Sequence, residues 1–506
     1  MVKLSRLAEQ LNLKVNGEGD PELVGITEDS REVKPGWLFV AVPGLKFDGR
    51  NFIEAALKAG AAAVMIPGVD QALSVPSLAV PEKELRSYMA GAASIIHGRP
   101  SDRIALIGLT GTNGKTTTAY LMEAILKLAG LAPGVMGTID FRWPGTVRPA
   151  PNTTPEGPVL TACLADMIEC GSRAAVLEVS SHALSLGRVA GLTFEAALFT
   201  NLSRDHLDFH RDMEDYYQSK KLLFTRHLKD SGQRAVINID DDHGRRLAGE
   251  LGQAALTFGF SPEAEVRGGE LKLSREGLSL SVDYQGRRWV QTSPLLAEIN
   301  AYNILGATAL SLALHIEEET IKSALAQASG APGRLEKVGA GSDFLVLVDY
   351  AHSPDALAKA LKACRDLEPK RLLAVFGCGG DRDRGKRPIM GRLAGEMADL
   401  CLITSDNPRT EEPWSILLEV EAGLADLGLV RYEEGELASD DWIQKAYLMV
   451  VDRRAAIREA VRLMEPGDVL LIAGKGHEDY QIIGREKRHL DDREEALEAL
   501  KRLGHD

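Results

Sequence analysis

A chain of 506 residues with 44% apolar side chains has material for several buried cores, so about two to four domains are expected. Its formal charge of -14 excludes a global basic field for nucleic acid or an anionic membrane surface, and leaves anionic small molecules to local clusters of cations. The five scattered cysteines (Cys163, Cys170, Cys364, Cys378, Cys401) lack metal-ligand spacing and fit reduced thiols. The N-terminus has no signal-peptide core and no apolar run approaches membrane-spanning length, so a soluble, cytoplasmic protein without a membrane span is expected.

Residues 1 to about 98 read as a small α/β unit. Leu38-Phe-Val-Ala-Val42 has strand character, 52–60 reads as a helix stopped by Gly60, and Ala62-Ala-Val-Met-Ile66 as a second strand. The polar clusters Glu28-Asp-Ser-Arg31 and 44–49 read as ordinary turns when taken alone. A Gly/Pro-rich polar stretch over 97–103 marks the boundary.

The apolar run 104–107 then leads into Gly108-Leu-Thr-Gly-Thr-Asn-Gly-Lys-Thr-Thr-Thr118, followed by Leu121, Ile125 and Leu128 at helical spacing. Strand, glycine loop and helix in that order form a phosphate site: Gly111 and Gly114 let backbone N–H groups close around phosphate oxygens at a helix N-terminus. Lys115 then reaches the outer phosphates, and Thr116 or Thr117 offers a hydroxyl to magnesium. The loop departs from G-x-x-x-x-G-K-[ST] in having Leu109 at the first glycine position; a chance Gly-Lys-Thr turn is the bland alternative.

Beyond the loop, apolar strands over 174–179, 196–200 and 235–239 each end in polar residues, as in a doubly wound parallel sheet with a nucleotide at its crevice. Alternation over 271–290 suggests an antiparallel ribbon. Glu178, at a strand end, suits magnesium but equally a cap or salt bridge, and His206 reads first as a hydrogen-bonding or core histidine.

After a linker at 329–334, strands over 345–348, 372–376, 400–404 and 469–473 each end in a charged or glycine-rich turn, which gives a second α/β sheet with its own row of polar tips. The stretch from Glu433 to Tyr447 reads as a surface loop with an extra helix.

Six motifs in order, Gly111-Thr-Asn-Gly-Lys-Thr-Thr117, Glu178-Val-Ser-Ser-His182, Thr200-Asn-Leu-Ser-Arg-Asp-His-Leu-Asp208, Pro332-Gly-Arg-Leu-Glu336, Asp349-Tyr-Ala-His352 and Gly474-Lys-Gly-His-Glu478, closely resemble the ATP-dependent Mur ligases of bacterial peptidoglycan synthesis. The resemblance is strongest to the branch that adds the third residue of the stem peptide. It implies three α/β domains: a small N-terminal uridine-diphosphate domain (1–100), a central P-loop ATPase-like doubly wound domain (101–333) and a C-terminal Rossmann-like domain for the amino acid (334–506). The implied partners are ATP with Mg2+, UDP-N-acetylmuramoyl-L-alanyl-D-glutamate and meso-2,6-diaminopimelate, handled by a monomer.

By the same resemblance Gly111, Thr112, Asn113, Gly114, Lys115, Thr116 and Thr117 hold the triphosphate, with Thr116 and Glu178 at one magnesium and Glu178 with His206 at a second. Tyr216, Lys220 and Phe224 fit the family's Tyr-x-x-x-Lys-x-x-x-aromatic stretch, which makes Lys220 the lysine expected to be carbamylated into a metal-binding carboxylate; Lys221 is its charged neighbour, and a surface lysine is the alternative. Asn303 is expected at adenine, although Ala297-Glu-Ile-Asn300 replaces the family's Gly-x-Phe-Asn, and Arg334 at the ATP phosphates with Asp349 and His352 nearby.

Ser30 and Arg31, with the turn at Asp48-Gly49, match the uridine-diphosphate site; Thr153, Thr154, Ser180 and Arg188 match positions that hold the muramoyl peptide. Arg382, Asp406, Asn407, Arg409, Gly474 and Glu478 match the amino-acid site. Asp406-Asn-Pro-Arg409 is the form associated with diaminopimelate, whose distal carboxylate suits the forked guanidinium of Arg409 where lysine's lone ammonium would be repelled. Read without the family, 407–408 is a turn and Arg409 a solvated charge. The alternatives are the same ligase with L-lysine, folylpolyglutamate synthetase, and a nucleotide-dependent switch without ligase chemistry.

Overall fold

The computed structural model describes residues 1–44, 47–68, 73–229, 234–339, 343–437 and 444–504. It divides into two compact units, one of Met1–Gly269, Ser281–Trp289 and Tyr302–Leu325, the other of Glu270–Leu280, Val290–Ala301 and Ala326–Asp506.

The first unit opens with a five-stranded sheet in the order Val15–Asn16, Ser77–Val80, Ala63–Pro67, Trp37–Val40, Gly25–Thr27, parallel except at Val15–Asn16. The helix Leu85–Ile96 covers one face with Leu85, Met89, Ala92, Ala93 and Ile96, whose spacing of four, three, one and three residues keeps them on one stripe. Because Gly25–Thr27 and Trp37–Val40 are parallel neighbours, the turns that follow them, carrying Ser30 and Asp48, emerge side by side.

The central sheet places the phosphate-loop strand Ala105–Thr110 between Ala174–Glu178 and Ala196–Phe199, and continues through Ala235–Asn238 and Ala255–Gly259, all parallel. These strands are buried throughout or nearly so, the near-continuous apolar signature of a sheet covered on both faces. The chain crosses from Ala105–Thr110 to Gly134–Met136 on one side and later to Ala196–Phe199 on the other, so the order reverses at the strand that carries the loop. The antiparallel ribbon expected near 271–290 is present as Val266–Leu273, Leu278–Tyr284 and Arg287–Ser293.

Leu109 sits where the common phosphate-loop pattern has glycine because the strand runs on to Thr110, fully buried, and the turn is confined to 111–114. The helix Lys115–Leu128 buries Leu121, Met122, Ile125 and Leu126, but Leu128 is 56% exposed, contrary to the expected periodicity. It is the helix's last residue, two before Gly130 (φ +73°) turns the chain.

The second unit contains a seven-stranded sheet ordered Glu336–Val338, Leu345–Asp349, Val469–Ala473, Leu372–Phe376, Leu400–Thr404, Ala446–Val450, Val430–Tyr432, parallel except at its first strand. Separate clusters of apolar side chains fill its two faces. The extra helix expected between Glu433 and Tyr447 is not among the described residues: 433–437 is turn, and Ala446-Tyr-Leu-Met-Val450 is a strand of five apolar residues. Residues 438–443 of that stretch lie outside the described residues. No described helix is long and apolar enough to cross a membrane.

Candidate active site

Gly111 (φ +151°) and Gly114 (φ +87°) are required as glycines: a Cβ at 111 would stand 1.9 Å from Thr200 Oγ1, and one at 114 would stand 2.4 Å from Asn303 Oδ1. The neighbouring strand end clamps the loop. Thr200 Oγ1 donates to Asn113 O (2.6 Å), and Asn201 Oδ1 accepts from the Asn113 N–H (2.9 Å). Lys115 Nζ donates to the carbonyls of Gly111 (2.8 Å) and Thr112 (3.0 Å), while Thr112 shares a hydrogen bond with the Tyr216 hydroxyl (3.2 Å).

Glu178 is buried, and its carboxylate accepts from Thr116 Oγ1 (2.9 Å), Thr138 Oγ1 (3.0 Å) and the Thr138 N–H (3.0 Å). Among the described residues no three His, Cys, Asp or Glu side chains converge as a metal cage. One carboxylate beside a hydroxyl is an oxygen donor set that suits magnesium, which keeps several waters and takes its remaining ligands from phosphates. His206, in the left-handed region (φ +53°), is half exposed and its ring packs edge-on against His182 at 5.0 Å.

The helix Met213–Arg226 sorts the two lysines. Tyr216, Lys220 and Phe224 lie four residues apart on its buried face, and Lys220 Nζ donates to Gly111 O at 2.8 Å. Lys221 points elsewhere and pairs with Glu250 at 2.8 Å. Burial, with the Lys115 charge as a second cause, pushes the Lys220 amine well below the ordinary lysine range.

Behind Glu178, Thr154 Oγ1 donates to Glu178 O (2.7 Å) and accepts from the Ser180 N–H (3.0 Å), and Thr153 Oγ1 lies 3.1 Å from Thr138 Oγ1. Arg188 donates to Thr154 O (3.0 Å) and pairs with Glu156 (2.9 Å), which also pairs with Arg86 (2.5 Å). Thr153, Thr154, Ser180 and Arg188 are thus brought together. Thr138 and Glu156 are not singled out by the sequence; Glu156 directly follows Thr153-Thr-Pro155, whereas Thr138 lies in no motif.

Two further polar contacts support the helix of Lys220: His210 Nε2 lies 2.9 Å from Ser181 Oγ and His210 Nδ1 lies 3.3 Å from Asp215.

In the second unit, Asp349 accepts from the N–H groups of Leu335 and Ala351 (2.8 Å each), and burial raises its carboxyl while the nearby Arg334 pulls it down. Arg334 lies over the Tyr350 ring at 5.0 Å, and His352 stacks edge-on against the same ring. The expected amino-acid residues also meet. Arg409 (φ +52°) is half-buried, its Nη1 donates to Gly380 O (2.7 Å), its N–H to Ile482 O (3.0 Å), and its carbonyl accepts from Gly484 (2.6 Å). Asn407 Nδ2 donates to Glu478 Oε2 (3.2 Å). Burial, and secondarily the Asp406 charge, raise the Glu478 carboxyl. Arg382 is exposed beside this loop. The hairpin Tyr480–Ile483 with Glu486–His489, which straps Arg409, and the buried Lys475 were not anticipated.

Residues 22–107, 109–311 and 333–476 match the Mur ligase family catalytic domain, the Mur ligase middle domain and the Mur ligase glutamate ligase domain, respectively. The chain is 44% identical to the UDP-N-acetylmuramoyl-L-alanyl-D-glutamate--2,6-diaminopimelate ligase of Geobacter metallireducens, with 99% of each chain covered. It is also 44% identical to the protein of the same name from Gloeobacter violaceus, with 99% of this chain and 98% of that one covered. A solved structure named for the same ligase superposes with a TM-score of 0.71 at 31% identity, covering 100% of both chains.

Proposed function

The chain belongs to the Mur ligase family, and from that premise we propose that it is an ATP-dependent amide ligase that joins meso-2,6-diaminopimelate to the D-glutamate of UDP-N-acetylmuramoyl-L-alanyl-D-glutamate in the cytoplasm. The γ-phosphoryl group of ATP passes to the glutamate γ-carboxylate, giving ADP and an acyl phosphate. The amine of diaminopimelate adds to the acyl carbon, loses a proton, and phosphate departs as the amide forms.

The residues divide this work. Lys115 and the N–H groups of the 111–114 loop take the triphosphate, where fixed cations and dipoles offset charge on the phosphoryl oxygens. Thr116, Glu178 and His206 would hold magnesium, which when bound supplies positive charge beside those oxygens. Asn303, whose Oδ1 abuts Gly114, is assigned to adenine, and Arg334 to the phosphates. Lys220 adds CO2 at its neutral amine and releases a proton, giving a carbamate; its burial next to Gly111 O and its lowered basicity support this assignment over Lys221. Thr153, Thr154, Ser180 and Arg188 hold the muramoyl peptide, and Ser30 with the Asp48 turn holds the uridine diphosphate at the far end. The domains of these roles are 1–100, 101–333 and 334–506.

One observation carries the choice of amino acid: Arg409 is held by its backbone and its guanidinium in the same unit as Glu478, with Asn407 bridging the two segments. A zwitterionic distal centre matches a fixed cation and a carboxylate; a lone ammonium matches only the latter. Amino-acid-dependent phosphate release with diaminopimelate and with L-lysine tests it. Arg409→Ala is expected to lower kcat/KM for diaminopimelate by about 100-fold, the effect of losing a forked charged hydrogen bond, while KM for ATP holds. Equal turnover of L-lysine by the unaltered enzyme would overturn the assignment.

A further inference from the structure

Lys475 lies between Gly474 and Glu478 and has no role in the reaction above, yet its side chain is completely buried. Its Nζ donates to Tyr480 O (2.6 Å) and Asn407 Oδ1 (3.2 Å), and stands 3.3 Å from Asp406 Oδ1 and 3.7 Å from Glu478 Oε2. Asn407 Oδ1 also accepts from the Ile482 N–H (2.9 Å), so one ammonium joins the Asp406–Arg409 segment, the Gly474–Glu478 segment and the hairpin that straps Arg409. Another buried cation, Arg453, has a partner of its own in Asp492 (2.6 Å).

A dry ammonium persists only when matched by opposite charge. Asp406, at the shorter distance, is the match, and the two carboxylates with one ammonium leave a single negative charge facing the amino-acid site. Arg409 supplies a single positive charge. That balance suits a distal centre with one ammonium and one carboxylate. Remove the lysine and two negative charges face the ligand, which favours an amine without a carboxylate.

Building on the ligase reading, we propose that Lys475 is a positioning residue that sets amino-acid selectivity, by cancelling Asp406 so that Glu478 alone meets the ligand ammonium and Arg409 decides for a second carboxylate. Its action is through Asp406, Asn407 and Glu478 rather than by contact with the substrate.

Steady-state rates with diaminopimelate and L-lysine test this. Unaltered enzyme that releases no diaminopimelate-dependent phosphate sinks the ligase reading itself. Given that activity, Lys475→Met is expected to lower the ratio of kcat/KM for diaminopimelate over L-lysine by at least about tenfold. The double variant Lys475→Met with Asp406→Asn, which restores the single negative charge, is expected to recover most of that ratio. A ratio unchanged in the single variant, or a double variant no better than the single, overturns the proposal, because a purely structural lysine would not be replaced by removing a carboxylate. Should Lys475→Met fail to fold, Asp406→Asn alone reads the balance from the other side: Lys475 then cancels Glu478, and KM for diaminopimelate rises at least about fivefold while KM for ATP holds. An unchanged KM for diaminopimelate would equally reject it.

Discussion

Lys220 and Lys221 are adjacent in sequence and opposite in circumstance, because successive helix positions are about 100° apart. Lys220 is buried with its amine 2.8 Å from Gly111 O, whereas Lys221 is partly exposed and paired with Glu250. Lys220→Met is therefore expected to reduce activity by about 10- to 100-fold, as loss of a group supporting a metal site does. Lys221→Met should stay within about twofold, since partly exposed ion pairs contribute about 0–1 kcal/mol. Carbon-13 NMR of enzyme equilibrated with labelled bicarbonate should show a carbamate resonance that Lys220→Met abolishes and Lys221→Met keeps; a signal that survives Lys220→Met would reassign the modification. The family resemblance marked Tyr216, Lys220 and Phe224 as a set, and all three are buried on the helix Met213–Arg226. What spacing does not carry is the partner across the gap: Thr138, whose hydroxyl and N–H fix Glu178, is forty residues away and lies in no motif.

The helices Lys386–Met397 and Pro413–Glu421 are joined by one side chain. Arg387 has no exposure, and its guanidinium reaches Glu411 (2.8 Å), just before the second helix, and Glu419 (2.9 Å) within it, while also donating to Gly379 O. These contacts brace the loop after Leu372–Phe376 against the one bearing Arg409. Arg387→Met leaves Glu411 without its cation and Glu419 with Arg384 alone, and is expected to cost about 2–4 kcal/mol, at the low end for a buried pair because both acids keep some water. Arg387 holds the Glu411 carboxyl down to about 2. The unfolded chain therefore binds that proton first as pH falls, so the stabilisation is complete above the ordinary glutamate range and disappears as pH drops toward about 2. Thermal unfolding between pH 6 and 3 should show a shallower acid dependence in Arg387→Met than in the parent; equal slopes would reject the pair as the cause. At this scale the sequence was most legible: the bounds of Leu372–Phe376, Leu400–Thr404 and Val469–Ala473 agree with the apolar runs that predict them. The edge strand Val430–Tyr432 was not, because Arg431 interrupts a three-residue run and only pairing with Ala446–Val450 defines it.

For the molecule as a whole, an excess of fourteen negative charges has to coexist with anionic substrates. The cations of the candidate site are accordingly local: Lys115, Lys220 and Arg188 belong to the first unit, Arg334, Arg409 and Lys475 to the second. Each unit also has cores of its own, in the central sheet and on both faces of the C-terminal sheet. A ligand that binds only the folded form of the unit holding its residues stabilises that unit by about 2.7 kcal/mol at 100 times its dissociation constant, which slows exchange through that unit's opening about 100-fold. Magnesium with a nonhydrolysable ATP analogue should therefore slow hydrogen exchange most in Ala105–Thr110, Ala174–Glu178 and Ala196–Phe199. Diaminopimelate should slow it most in Leu400–Thr404, Val469–Ala473 and the hairpin from Tyr480 to His489. Diaminopimelate protection confined to the central sheet would place the amine site in the first unit, and the assignment of Arg409 and Glu478 would fall with it.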